Sequence, residues 1–445
     1  MQRLLERVSI LRRFTRSSSF ANRKPVHSLS GKSWNSEQEI WRLGDLEYLV
    51  PPVFLRNQWV YKIAQQTNRV TLVDELRSSL SATLEQCRTL SGVLVKEAGE
   101  VQISTSVEQL RGLGYPPLCL EELASLDEMD NLQTHGLSSG RPILQVQTTW
   151  IPGGLILTVG YHHYSMDGMG FAAFLNQWRD NHLAMGNGGH LAPWHPENLN
   201  RERLNGIPIP YQDRVSPITP IPVGPPKSLR HPSRPIVLNF HEAQRNRLKS
   251  AAAHDNKPVS SYSAITALLW RVHTPLSTAV NLRSRFKPPL RTQLQANAVT
   301  GVMSPHVSFA EAIAPGGLTH LSSIAHEAAL SFDVHDAMER ANKVAMLKDK
   351  TMAAWTGAQL PEFSFAMTDM RNAGYYELDF GFGAPLTVRN VHETQHPCVI
   401  RKLLPGTDAD GIHSIFEVQM PVEDVCLEQL VQDSELLEYA EVASR

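Results

Sequence analysis

One short group of residues has side chains suited to proton transfer. The sequence HHYSMDG places His162 and His163 ahead of Asp167 and Gly168. An imidazole has an unperturbed pKa of about 6.5, so one neutral histidine can accept a proton and return it in a later step. A histidine at the end of an apolar strand is, however, more often structural than catalytic. The histidines by themselves leave both roles open.

A metal site is the other chemistry that His162, His163 and Asp167 suggest. Neighbouring residues of a strand point to opposite faces, so the two imidazoles do not converge easily on one ion. No further ligand cluster lies nearby, and the four cysteines include no CxxC pair. We therefore expect no bound metal and interpret His162 as structural.

A strand and a helix are predicted to position these residues. The ranges 143–151 and 155–161 are rich in β-formers, and two glycines between them favour a hairpin turn. Beyond the histidines, apolar residues recur three and four positions apart, as on one face of a helix. These residues are Phe171, Phe174, Leu175 and Trp178. His163 is thus predicted at the C-terminal end of a strand, where a substrate can reach it.

A second motif, DFGFG, occupies residues 379–383. The chain has no GxGxxG, HRD or P-loop sequence, so DFGFG does not indicate a kinase. HxxxDG at 163–168, followed by DFGFG, resembles the BAHD family of CoA-dependent acyltransferases. The resemblance runs from about Leu43 to the C-terminal helix. It includes SSYSAITALLWR at 260–271 and AVNLRSRFKPPL at 279–290.

The resemblance implies an α/β fold of two chloramphenicol-acetyltransferase-like domains with a channel between them. It implies an acyl-CoA co-substrate, with acetyl-CoA as the expected donor, and a hydroxyl or amine of a small secondary metabolite as acceptor. His163 is then the general base. Since no serine lies in a GxSxG sequence and no cysteine has a local catalytic signature, we expect direct transfer without an acyl-enzyme.

Asp167 belongs with His163 in the catalytic motif, although a carboxylate at a turn is well suited to hold an arginine. The resemblance implies that it points away from the chemistry and binds an arginine of the stretch 283–285. Arg283 is the first choice and Arg285 the second. Gly168, which has no Cβ, provides the turn. Loss of the pair is expected to displace His163.

The DFGFG loop is expected to be structural. Gly381 and Gly383 allow a sharp turn beside Asp379, and the resemblance implies that this loop shapes the channel used by CoA. Upstream, Thr368 corresponds to a hydroxyl donor that plant members place at the oxyanion. Met370 stands where those members have tryptophan, which weakens any inference about the acceptor.

Ser260 and Asn297 are assigned to CoA binding from their positions in the family. Two alternatives to a BAHD-type enzyme remain open. A condensation domain of nonribosomal peptide synthesis shares HHxxxDG, but this chain also contains DFGFG. A non-catalytic family member would act as a binding or accessory protein. The intact His163 argues against that alternative, and Met370 leaves it open.

Composition restricts the remaining possibilities. The 445 residues carry a formal net charge of −2, which gives no reason to expect nucleic acid or an anionic membrane as partner. No apolar run approaches the roughly 18 residues of a membrane span. We expect a cytoplasmic monomer. The arginine-rich N-terminus also resembles a mitochondrial transit peptide, but a disordered extension is the preferred interpretation.

The pattern along the chain predicts four segments. These are a basic extension at 1–40, a domain carrying HxxxDG at 41–195, a proline-rich crossover at 196–235 and a domain carrying DFGFG at 236–445. Further secondary structure is predicted at several positions. These predictions are a capping box at Thr71–Asp74, a helix at about 120–130, one long helix at 319–350, a strand at 375–382 and a closing helix opened by Pro421.

Overall fold

The fold is taken from a computed structural model, which describes residues 39–105, 120–122, 142–207, 233–254, 258–271, 276–353, 365–391, 398–402 and 414–444. Most of the predicted extension, the central part of the crossover and most of the helix predicted at 120–130 lie outside the described residues.

The helices and strands are numbered here in chain order. The strands are β1 Ile40–Arg42, β2 Phe54–Lys62, β3 Val93–Glu97, β4 Glu100–Ser104, β5 Leu120–Glu122, β6 Leu144–Ile151, β7 Gly154–His162, β8 Ser233–Phe240, β9 Leu276–Asn281, β10 Val299–Met303, β11 Phe365–Asp369, β12 Thr387–Asn390, β13 Cys398–Lys402, β14 Phe416–Glu423 and β15 Glu441–Ser444. The α-helices are α1 Arg69–Gln86, α2 Gly168–Gly186, α3 Glu242–Ala251, α4 Ser261–Trp270, α5 Phe309–Ile313, α6 Gly317–Ser331, α7 Val334–Ala345, α8 Asp424–Leu430 and α9 Ser434–Tyr439.

Across the described residues the strands form three sheets. The five-stranded sheet has the order β12-β2-β7-β6-β5, the seven-stranded sheet β10-β9-β11-β13-β14-β8-β15, and the small sheet β1-β4-β3. β12 follows most of the seven-stranded sheet in sequence, yet it pairs antiparallel with β2. The C-terminal part of the chain thus contributes a strand to the sheet that carries His162.

The hairpin predicted before the histidines is confirmed. β6 and β7 pair antiparallel from Leu144 opposite Tyr161 to Ile151 opposite Gly154. Gly153 has a φ of 79°, a left-handed conformation that suits glycine at the turn. β7 is buried from Gly154 to Tyr161, so β-branched and leucine side chains fill both of its faces.

The predicted helix after HxxxDG is also present, as α2. Phe171, Phe174 and Trp178 have no exposed surface. The indole N–H of Trp178 donates to the hydroxyl of Ser79 in α1 at 3.0 Å, so the two helices are joined by a buried polar contact as well as by apolar packing. This packing fixes the direction in which α2 leaves the motif.

Two apolar cores lie against the two larger sheets. The first contains Trp59 and Phe171 and also takes in Val280 and Val388 from later in the chain. The second contains Leu238 of β8 together with helix residues such as Trp270. Because the first core includes residues from the second half of the chain, the site beside β7 depends on segments distant in sequence.

Two predicted helix boundaries are wrong. α1 is capped by Asn68, whose side-chain oxygen accepts from the N–H groups of Val70 and Thr71, so the helix begins before the capping box predicted at Thr71. The helix predicted at 319–350 is two helices. Phe332 is extended, and Asp333 caps α7 through a capping box with Asp336.

Two predictions near the C-terminus are also wrong. Residues 375–382 are not a strand: Tyr375–Glu377 form a 3-10 turn and the DFGFG loop follows. Pro421 lies inside β14, opposite Pro235 of β8, and α8 begins only at Asp424. Two prolines face each other there, and because proline has no backbone N–H, neither can donate a hydrogen bond to the other.

Candidate active site

β7 brings the two histidines to the end of the five-stranded sheet. The strand ends at His162, residues His163–Ser165 form a 3-10 turn, and α2 begins at Gly168. The N–H of His163 donates to the carbonyl of Val53, just ahead of β2, at 2.8 Å. The backbone of His163 is therefore fixed to the neighbouring strand.

The imidazole of His163 is held by Asn297. Nδ1 of the ring lies 3.1 Å from Oδ1 of Asn297, and Nδ2 of the same amide donates to the backbone carbonyl of His163 at 2.8 Å. Because Nδ2 faces a carbonyl acceptor, Oδ1 faces the ring and Nδ1 carries the proton. The lone pair of a neutral His163 is then on Nε2.

The surroundings of His163 favour the neutral ring. Burial lowers the pKa of the imidazole, and its hydrogen bonds and the nearby charge of Asp167 offset only part of that effect. The neutral ring, which is the form able to accept a proton, is therefore favoured at neutral pH. The residue also keeps some solvent exposure.

His162 has a different environment. Its Nδ1 accepts from the N–H of Tyr164 at 3.1 Å, so the ring caps the 3-10 turn. Burial, together with the charge of a protonated His163, lowers the pKa of His162 to about 3. A ring that stays neutral and is bonded to its own turn agrees with the structural role predicted for it.

Asp167 and Arg283 form a buried two-pronged ion pair. Nη1 of Arg283 donates to Oδ2 at 2.7 Å and Nη2 to Oδ1 at 3.0 Å. The carboxylate also accepts from the N–H groups of Gly170, at 2.8 Å, and Ala298, at 2.9 Å. The predicted contact is present, and the carboxylate holds backbone and guanidinium rather than the imidazole of His163.

Arg285, the second choice of partner, lies elsewhere. Its guanidinium donates to the carbonyls of Ala329 and Phe332, at the C-terminal end of α6. Cationic side chains at this position compensate the partial negative charge of a helix end. Arg285 therefore stabilises α6 and leaves Arg283 as the partner of Asp167.

Gly168 is where the end of β11 meets the start of α2. A Cβ at this position would lie 2.7 Å from Cε and 2.8 Å from Sδ of Met370. Thr368, the predicted oxyanion donor, is partly exposed on β11, and Met367 beside it is buried. The thioether of Met370 thus occupies the space next to the turn, where plant relatives are expected to carry an indole.

The DFGFG loop is closed by its own aspartate. Oδ1 of Asp379 accepts from the N–H groups of Gly381, at 2.7 Å, and Gly383, at 2.8 Å. These glycines have φ of 93° and 103°, a region unfavourable for residues with a Cβ. Phe380 packs edge-on against Trp178 and Phe382 against Tyr61, each with ring centroids 4.9 Å apart.

The two residues assigned to CoA differ in placement. Ser260 is exposed and caps α4, its hydroxyl accepting from the N–H of Ser263 at 2.9 Å. Asn297 has no exposed surface, and both ends of its amide bond to His163. The side-chain amide of Asn297 is thus engaged by His163, and a contact of this residue with CoA stays a prediction from the sequence. No local signal marks its partnership with His163, because 134 residues separate them.

No group of three or more His, Cys, Asp or Glu side chains in the part of the chain that the structure describes is arranged to hold a metal ion. None of the helices described has the length and apolar character required to cross a membrane.

The chain is similar over most of its length to known acyltransferases. The model of the transferase family matches residues 32–436. The acetyltransferase FGR3 of Gibberella zeae is 25% identical, over 94% of this chain and 93% of its own length. The BAHD acyltransferase DCR of Arabidopsis thaliana is 23% identical, over 88% of this chain and 87% of its own.

Solved structures share the fold. TRI101 of F. sporotrichioides, crystallised with coenzyme A and T-2, superimposes with a TM-score of 0.68 at 20% identity, covering 90% of this chain and 99% of that one. Vinorine synthase gives a TM-score of 0.61 at 16% identity, covering 95% and 98%. The predicted fold class, two α/β domains of chloramphenicol-acetyltransferase type, is confirmed.

Proposed function

The chain belongs to the transferase family of BAHD acyltransferases, and we propose that it transfers an acetyl group from acetyl-CoA to a hydroxyl or amine of a small secondary metabolite, with His163 as the general base. As a member of this family it is an acyl-CoA-dependent acyltransferase. The acetyl group is proposed because FGR3 is an acetyltransferase and TRI101 of Fusarium sporotrichioides a trichothecene 3-O-acetyltransferase.

The observation that carries the proposal is the orientation of the His163 ring. Asn297 keeps the proton on Nδ1, so the lone pair on Nε2 can accept the proton of the acceptor's O–H or N–H. The deprotonated acceptor attacks the thioester carbonyl and forms a tetrahedral intermediate. When the C–S bond breaks, the imidazolium returns that proton to the CoA thiolate, which leaves neutral His163, the acylated product and free CoA.

Other residues support this reaction without taking the proton. Asp167 and Arg283 hold the turn on which His163 lies. Thr368 is the proposed donor to the oxyanion, and Ser260, exposed at the N-terminus of α4, the proposed CoA contact. The segment boundaries at 40, 195 and 235, a monomeric state and a cytoplasmic location stay predictions from the sequence.

The test measures free CoA thiol released from acetyl-CoA with a panel of hydroxylated and amino acceptors. We expect acceptor-dependent release by the unaltered protein, reduced about 100-fold or more in His163→Ala. His190→Ala, which changes an exposed histidine four residues after the end of α2, is the control and is expected to retain activity.

Three outcomes contradict parts of the proposal. Equal release by the unaltered protein and His163→Ala removes His163 from the mechanism. Release that no acceptor increases identifies hydrolysis instead of transfer. No release together with no heat of CoA binding in calorimetry favours the non-catalytic, accessory alternative.

A further inference from the structure

The segment behind His163, residues 294–298, is held by two ion pairs that bind alternate residues. Nη2 of Arg283 donates to the carbonyls of Leu294, at 2.7 Å, and Ala296, at 3.1 Å. Its partner Asp167 accepts from the N–H of Ala298 at 2.9 Å. The even-numbered residues of the segment thus bind the ion pair of Asp167 and Arg283.

The odd-numbered residues bind a second pair, Glu47 and Arg201. Oε1 of Glu47 accepts from the N–H of Asn297 at 2.9 Å. Nη2 of Arg201 donates to the carbonyl of Gln295 at 2.8 Å. The two partners meet where Nε of Arg201 lies 3.2 Å from Oε2 of Glu47. Asn297, whose amide fixes the proton of His163, is therefore anchored through its backbone by Glu47.

The second pair also contacts the turn that carries His163. Nη2 of Arg201 donates to the carbonyl of Ser165, two residues after the histidine, at 2.8 Å. A single guanidinium nitrogen therefore bridges the turn that supplies the imidazole and the segment that supplies the amide. This nitrogen therefore joins the His163 turn to the segment that carries Asn297.

The burial of the pair argues against a purely stabilising role. The side chain of Arg201 is 5% exposed and that of Glu47 not at all. Removing two charges from water costs several kcal/mol per ion, and apolar replacements of such pairs are often as stable. Burial raises the pKa of Glu47, and the charge of Arg201 and N–H bonds from Asn297 and Gly44 oppose that rise. What the pair provides is a defined position for the groups it binds.

We propose that Glu47 and Arg201 are positioning residues for acyl transfer. They hold Asn297 and the His163 turn in the relative position that keeps the proton on Nδ1 of His163. This inference rests on the proposed function of His163. Neither residue touches the imidazole, so their effect on the reaction passes through Asn297 and Ser165. The pair complements Asp167 and Arg283 on the other residues of the same segment.

The variant Glu47→Gln tests the proposal. The glutamine amide has an oxygen on one side and N–H donors on the other. These donors face either the N–H of Asn297, or the N–H of Gly44 together with the guanidinium of Arg201, and each of these groups needs an acceptor. A displacement of catalytic groups by about 1 Å lowers the rate about 100-fold. We expect kcat to fall by about this factor while KM changes less than about twofold, because the variant leaves substrate contacts in place.

Asp45→Asn is the matched control. Asp45 lies in the same 3-10 helix, Asp45–Leu49, is 3% exposed and forms an ion pair with Lys350 at 2.8 Å. It accepts from the N–H of Gly206, and none of these contacts involves the 294–298 segment. We expect a lower melting temperature with kcat within about twofold of the unaltered protein.

A spectroscopic measurement separates positioning from loss of stability. In protein labelled with ¹⁵N-histidine, the signals of His163 are those missing from His163→Ala. We expect protonated Nδ1 in the unaltered protein and in Asp45→Asn, and a mixture of the two tautomers in Glu47→Gln. Arg201→Lys keeps the charge but cannot bridge the same three groups, so the same loss is expected. It replaces Glu47→Gln if that variant does not fold.

The outcomes distinguish this inference from the proposed function. If His163→Ala retains acyl transfer, the proposed function fails and this inference fails with it. A different result is that His163→Ala is inactive while Glu47→Gln and Arg201→Lys have the same kcat and the same His163 tautomer as the control Asp45→Asn. That result overturns only the present inference. A fall in kcat with the tautomer shifted in both variants supports it.

Discussion

The HxxxDG loop at 163–168 and the DFGFG loop at 379–383 are built in opposite ways. Each contains an aspartate that accepts backbone N–H bonds. Asp167 is 3% exposed and binds Arg283, 116 residues along the chain, and Ala298, 131 residues along the chain. Asp379 is only partly buried, and its carboxylate accepts hydrogen bonds from the N–H groups of Gly381 and Gly383 in its own loop.

The difference shows how two equally recognisable motifs divide their tasks. The bonds of Asp167 fix the position of one part of the chain relative to another, and His163, the proposed base, lies between those parts. The bonds of Asp379 fix the shape of one loop, which then places Phe380 and Phe382 against neighbouring aromatic rings. We therefore expect the first loop to govern activity and the second to contribute local stability.

The largest expected effect comes from Asp167→Asn. This change leaves the buried guanidinium of Arg283 without its negative partner, which costs about 3–5 kcal/mol. We expect this decrease in the free energy of unfolding in urea, together with loss of acyl transfer. Asp379→Asn keeps an oxygen acceptor and is expected to cost about 1 kcal/mol with activity retained. Similar losses in the two variants would end the distinction between the loops.

Asn297 sharpens the comparison at the imidazole itself. Asn297→Ala removes the amide that selects the tautomer, and we expect kcat to fall about 100-fold. In Asn297→Asp a negative charge stabilises the imidazolium and raises the pKa of His163, so the acid limb of the kcat/KM profile moves to higher pH. Asn181→Ala is the control, because it changes a buried residue of α2 whose amide bonds to Thr83 of α1. An unmoved acid limb in Asn297→Asp would exclude His163 as the titrating base.

Acid sensitivity distinguishes the histidines beside the two loops. In the unfolded chain a histidine becomes protonated as the pH falls below about 6.5, whereas in the folded protein burial lowers the pKa of His162 to about 3. Its contribution to stability is intact above about pH 6.5 and is lost as the pH falls from there towards 3. Burial also lowers the pKa of His182, beside Phe380.

We expect His162→Asn to flatten the decrease of the melting temperature between about pH 7 and 4.5. The asparagine keeps a side-chain acceptor for the turn but cannot be protonated in this range. His182→Asn is the matched variant and is expected to flatten the decrease less. A larger effect of His182→Asn would place the main acid-sensitive group beside the DFGFG loop.

Two glycines are expected to show smaller effects than Asp167. Gly381→Ala forces a residue with a Cβ into a φ of 93°, at a cost of about 1–2 kcal/mol. Gly168→Ala meets only the flexible thioether of Met370, so the added change Met370→Ala should recover part of its loss. Urea unfolding of the two single variants and of the double variant measures this coupling. Additive costs at Gly168 and Met370 would contradict the contact.

Local patterns in the sequence determined much of the fold around the site. The change from strand to helix period predicted β6, β7 and α2, because side-chain spacing follows directly from the geometry of each element. The resemblance of the two motifs to a known family led to Arg283 as the partner of Asp167. Glycine at 381 and 383 indicated a turn, since few other residues adopt the left-handed region.

Tertiary structure alone decided the partners of the imidazole and several boundaries. Asn297 and Glu47 lie far from His163 in sequence, and a hydrogen bond between distant segments leaves no periodic trace near either residue. The break at Phe332 and the strand through Pro421 also follow from packing and pairing with other elements. Spacing records what a residue does within its own element, whereas the site is made by contacts between elements.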